Sequence, residues 1–171
     1  MEPWNAGLDV GVPEMDQAHQ SLDRMMQEAV EAVEKGNASA VGAALPPIAQ
    51  GIASHFAAEE ELMRQSGYRQ AATHIEAHQA CLLDLDGAAK EFAASGLSPL
   101  FKLWFGARLS PWLRLHVRGS DAQFGRYYRI WQETQAKASE SALVASAGAG
   151  PAADGSPAAR PPAPSLGQKG H

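Results

Sequence analysis

From residue 13 to residue 116, apolar side chains recur at alternating steps of three and four, the spacing of one face of an α-helix, and no stretch alternates with period two. The first stripe reads Met15, His19, Leu22, Met26, Ala29 or Val30, and Val33; it opens at Pro13, a favoured first-turn residue, and closes at Gly36-Asn37. A second stripe, Val41, Leu45, Ile48, Ile52, His55, Glu59 and Leu62, stops at Ser66-Gly67. The third, Ala71, His74, His78, Cys81, Leu85, Ala88 and Phe92, stops at Ser95-Gly96, and the fourth, Phe101, Phe105, Leu109, Trp112 and His116, breaks at Gly119. Short turns between successive helices make neighbours antiparallel, so the prediction is an all-α, up-down-up-down four-helix bundle behind an N-terminal arm. Phe124, Tyr127, Tyr128 and Trp131 predict a short C-terminal helix within 121–140, packed on one end. Pro46-Pro47 and Pro111 fall inside the second and fourth stripes. An interior proline loses a backbone bond and clashes with the preceding turn, at about 3 kcal/mol or more, so each predicts a kink or the start of a shorter helix.

The length, 171 residues, suits one domain with a surplus. That surplus is visible at 141–171, where nine Ala, five Pro, five Gly and four Ser leave hardly a large apolar side chain. Such a segment cannot bury enough surface to offset its ordering entropy, so residues 1–140 are read as the bundle and 141–171 as a disordered tail. Its functional alternative is a docking arm for a protein partner. Residues 1–140 carry 12 basic and 18 acidic side chains, the opposite of a nucleic-acid footprint. A lone cysteine, Cys81, makes neither an internal disulfide nor a thiolate metal site. The opening MEPWNAGLDV has no basic or apolar leader, and no apolar run reaches membrane-spanning length. A cytoplasmic protein without nucleic-acid or membrane partners is the expectation.

Five of the six histidines change the picture, because all except His171 lie on core-facing stripes. One inward histidine is ordinarily a core residue bonded to a carbonyl. Five of them with the inward Glu59 would each need a separate partner, and unpaired buried polar groups cost roughly 1–3 kcal/mol apiece. A shared metal centre serves them together. His55 and Glu59 are four apart, as are His74 and His78, so each pair shares a helical face. His116 and Asp121 are five apart, about 140° off one face in a regular helix, but Gly119 between them permits a break or a π-type bulge that swings Asp121 back. Asp121 could otherwise cap the following helix beside Ser120.

Imidazole and carboxylate suit iron, zinc, copper or nickel, and the lack of thiolates argues against an iron–sulfur cluster. Seven donors exceed one ion's needs. Spread over two octahedral ions, with both carboxylates and one solvent-derived oxo or hydroxo group bridging, they leave a single open position, suited to a small ligand such as O2. No Glu-x-x-His occurs, unlike the oxidising ferritin-like di-iron sites, and His-Glu-x-x-His is absent as well.

Taken together, Trp4, Gly11-Val12-Pro13 leading to Met15-Asp16 and His19, His55-Phe56 with Glu59-Glu60 and Leu62-Met63, Gly67-Tyr68, His74-x3-His78, Trp112-Leu113-x2-His116 and His116-x4-Asp121 resemble the bacteriohemerythrins, a hemerythrin-like di-iron oxygen-binding family. The resemblance spans about residues 1–132. It implies that His74, His78 and His116 hold one iron, that His19 and His55 hold the other, and that Glu59 and Asp121 bridge. It further implies that O2 binds end-on at the iron with two histidines. Phe56, Trp112 and Leu113 are read as core residues that also wall the ligand pocket, joined by Cys81 one turn past His78. Ala18 departs from the family pattern, which usually has Gln before the first histidine.

The leading expectation is therefore a non-enzymatic protein binding O2 reversibly at two iron ions, for oxygen storage, delivery or sensing, with NO as a second diatomic ligand. The alternatives are a di-iron enzyme or sensor handling nitric oxide or peroxide, and iron donation for cluster repair. The stripes offer no proton-delivering carboxylate beyond the two bridges, which favours binding.

Overall fold

A computed structural model describes residues 8–148. Trp4 and residues 149–171, which hold most of the expected tail, lie outside the described residues. The chain divides into two units, Met1–Gln135 and Ala136–His171.

The first unit is the expected all-α bundle, with no strand among its described residues. It contains α1 (Pro13–Glu34), α2 (Ala38–Ser66) and α3 (Ala71–Ser95), then a helical rod made of α4 (Pro99–Trp104), a π turn (Phe105–Leu109), α5 (Ser110–His116), a second π turn (Val117–Asp121) and the start of α6 (Ala122–Gly148). Side chains and glycines set the ends. Asn37 accepts the Ala40 N–H at 3.1 Å and Ser98 accepts that of Phe101 at 3.1 Å, each capping a helix start. Gly36 and Gly67 adopt the left-handed conformation that lets the chain reverse after α1 and α2. Before α1, the Asp16 carboxylate accepts the Val10 and Gly11 N–H groups at 2.7 and 3.1 Å, drawing the N-terminal arm onto the bundle.

The rod departs from expectation in an instructive way. No helix break occurs at Gly119, and the C-terminal helix is a 27-residue continuation rather than a short separate element. Residues 141–148, expected in the tail, are helical. The reason for the π turns is the spacing of buried positions: Phe101, Phe105, Leu109, Leu113, Val117, Asp121 and Gly125 recur every four residues. In a regular α-helix that series would drift about 240° around the axis, and two turns that each take one extra residue remove about 200° of it. The first π turn also ends just before Pro111, which has no N–H to give the carbonyl of Ala107; an α segment restarts at Ser110. Pro46 and Pro47, by contrast, neither start nor end a helix, since α2 runs through both. They and Ala43 are exposed, so water can reach the carbonyl that Pro47 leaves without a helical donor.

Two apolar clusters fill the bundle. One gathers Leu22, Met26, Ile48, Ile52, Phe56, Phe101, Phe105 and Leu113; the other gathers Leu8, Val10, Val12, Met15, Met63, Val117 and Phe124. Along each helix the change from one cluster to the other falls at a polar residue: His19 between Met15 and Leu22, Glu59 between Phe56 and Met63, His116 between Leu113 and Val117. A buried polar belt therefore separates them.

Gly125 is where the arm lies closest to α6, because a Cβ there would sit 2.6 Å from the Val10 carbonyl oxygen. Gly125→Ala is expected to cost about 1–3 kcal/mol in denaturant unfolding. Gly87→Ala, in α3 with nothing within 4 Å of an added Cβ, should instead stabilise by about 0.5–1 kcal/mol.

Candidate metal centre

Every expected donor lies in the belt. His19 comes from α1, His55 and Glu59 from α2, His74 and His78 from α3, His116 from the end of α5, and Asp121 from the second π turn; all seven are buried. The ring Nε2 atoms converge. His74 and His116 approach to 2.9 Å, His78 and His116 to 3.1 Å, and His19 and His55 to 3.0 Å. Asp121 lies between these groups, with Oδ1 3.0 Å from both His74 and His116 and Oδ2 3.1 Å from His19. The π turn brings it there. Glu59 faces His55 at 3.7 Å, His78 at 3.5 Å and His74 at 3.8 Å.

Burial pushes His55 down to about 3, with the His19 ring adding to the effect, and burial also lowers His78. Both therefore offer neutral rings with available lone pairs. Burial alone would raise Asp121, yet hydrogen bonds from His116, His19 and His74 hold it well below the usual carboxylate range. Glu59 goes the other way, up to about 8, through burial and then the Asp121 charge. Both of its oxygens are fully buried without a hydrogen-bond donor. A carboxylate left so, beside imidazole nitrogens crowded at contact distance, is the arrangement that divalent cations satisfy and protein groups alone do not. The residues fit a metal. One set of donor atoms within 4.8 Å of one another comes from Glu59, His74, His78, His116 and Asp121, and another from His19, His55 and Asp121.

Aromatic rings close one side of the belt. Phe56 stacks on His78 with centroids 3.8 Å apart, and Trp112 stacks on His116 at 4.7 Å. Leu113 is buried in the adjoining cluster. Cys81 lies in that cluster too and lines a small cavity of about 150 Å³ with Trp104 and Trp112. Burial, then Asp84, pushes its thiol up to about 12, so it stays protonated at neutral pH.

Two contributions escaped the sequence reading. The Glu60 carboxylate accepts from His78 Nδ1 at 2.9 Å, which turns the Nε2 lone pair inward. The Glu59-Glu60 pair was the signal in the sequence, but the reach to α3 depends on how α2 and α3 pair. Arg114 donates to the buried Asp23 at 2.5 Å, and Gln27 donates to the same carboxylate, pinning α1 to α5 one turn from His19.

A family profile described as the hemerythrin HHE cation-binding domain matches residues 10–128. A protein of Stenotrophomonas maltophilia named bacteriohemerythrin is 30% identical over 122 residues, covering 71% of this chain and 77% of the relative. Bacteriohemerythrins of Pseudomonas aeruginosa and Pseudomonas paraeruginosa are 25% identical over the same length and the same shares.

His74→Ala is expected to lose bound metal and to lower the thermal midpoint, checked by elemental analysis and thermal unfolding, because metal binding and folding are coupled. Glu60→Ala should weaken metal retention about 10–100-fold in chelator competition. Glu60→Gln, whose amide oxygen still accepts from His78, should fall between that variant and the wild type.

Proposed function

The chain belongs to the hemerythrin family, and from that footing we propose that its belt holds two non-haem iron ions and binds O2 reversibly, for storage, delivery or sensing. The observation that carries this reading is the unequal division of donors. Five residues surround one position and three surround the other, with Asp121 common to both and Glu59 within 3.7 Å of His55. That division supports Glu59 and Asp121 as the residues that would be shared between the two ions, and the set containing His19 and His55 as the one short of donors. Iron, when bound, supplies the reversible electron donation to a diatomic ligand that imidazole and carboxylate lack.

The chain's own residues then hold and shield. Glu60 orients His78, while Phe56 and Trp112 cover two rings and exclude water from them. Among the described residues neither donor set contains a third carboxylate. A group that delivers protons to a bound ligand is what reductive cleavage needs, so the site favours binding over turnover, with NO as a second ligand of the same size. Among the described residues no helix is long and apolar enough to cross a membrane. The same reading assigns the protein to the cytoplasm.

Iron titration of the purified chain should end at two per chain, and its absorption spectrum should change and return as O2 is admitted and withdrawn. Zero or one iron removes the reading. Multiple turnovers of peroxide or nitric oxide would assign the centre to an enzyme instead.

A further inference from the structure

The seam between α1 and α2 holds a cavity that borders the polar belt. Near one end of it the helices touch, since a Cβ on Gly51 would lie 3.0 Å from Leu22 Cδ2 and 3.1 Å from Met25 Cε. Further along, Ala18 and Ser21 of α1 and Ser54 and Ala58 of α2 are too small to fill the gap, and a cavity of about 290 Å³ remains. Ser54 and Ala58 are exposed, whereas the lining residues His55 and Glu59 are buried. Glu59 is fully buried and neither of its carboxylate oxygens has a hydrogen-bond partner. A separate depression borders His74, but its lining of Tyr68, Thr73, Ser120 and Gln123 is polar.

We propose that the α1–α2 seam is the passage by which an uncharged diatomic ligand reaches the donor-poor side of the belt, a proposal that rests on the function given above. A mostly carbon wall accepts O2 or NO and disfavours ions, which lose hydration on entering it. The passage ends at His55 and Glu59, beside the set with fewest donors. It therefore admits ligand to the position that is short of one, without opening the side where five donors gather.

Ser21→Leu and Ala58→Leu place a larger side chain in the gap at two different points. Each should lower both the O2 association and dissociation rates by about tenfold or more in stopped-flow measurements, with equilibrium affinity within about twofold and iron content at the wild-type level. Thr73→Leu, in the polar depression, should leave both rates unchanged. Crystals of the full chain under xenon pressure should show xenon between Ser21 and Ser54, and none there in Ser21→Leu. Filled variants that load iron and react at the wild-type rate overturn the passage, as does wild-type protein without xenon in the seam. Wild-type protein that never responds to O2 counts against the proposed function, and the xenon result then decides the passage by itself.

Discussion

Everything in this fold answers to the problem of holding two carboxylates and five imidazoles inside a helical core. An uncompensated charge there costs several kcal/mol, a large part of the roughly 5–15 kcal/mol that keeps an ordinary domain folded. The groups consequently sit at one level of the bundle, where each is another's neighbour, and the apolar residues are split above and below them. Asp121 is drawn toward three rings within that level, whereas Glu59 has no donor at all. Asp121 therefore stands between both groups of rings, and Glu59 offers two buried oxygens that nothing in the protein occupies.

The backbone bends to this requirement more than the side chains do. Of the seven donors, six lie in ordinary helix, and the seventh reaches the belt only because Val117–Asp121 takes an i→i+5 turn. The extra residue is inserted where His116 and Asp121 must point the same way, which a regular helix forbids at their spacing. Close packing around the belt makes similar demands, as at Gly125, where the Val10 backbone takes the space a side chain would need.

Most of the fold, and the gathering of the candidate donors, was legible because a helix turns the chain into a periodic object. His55 with Glu59, and His74 with His78, announce a shared face by being four apart, and the apolar residues that bracket them announce that the face is inward. What periodicity misses is of three kinds. Contacts between helices, such as Glu60 with His78 and Asp23 with Arg114, depend on helix pairing rather than spacing. Local propensity overrode composition at 141–148, where Ala residues too small to build a core are the strongest helix formers. The continuity of α2 through Pro46-Pro47, which lie on an exposed side of the helix, is the third. The period of four from Phe101 to Gly125, read against 3.6, was the available sign of the π turns.

Those turns also make the rod behave as a gear whose teeth are counted rather than shaped. Deleting a residue from the regular stretch 111–115, where no wide turn absorbs the loss, would deliver Phe124 and Tyr128 about 100° out of phase. The second apolar cluster would lose its grip on Leu8 and Val10, although no residue of the arm had changed. Chain length is consequently under tighter mechanical control between the two wide turns than inside 117–121, where loss of the spare residue restores an ordinary helix with the same phase.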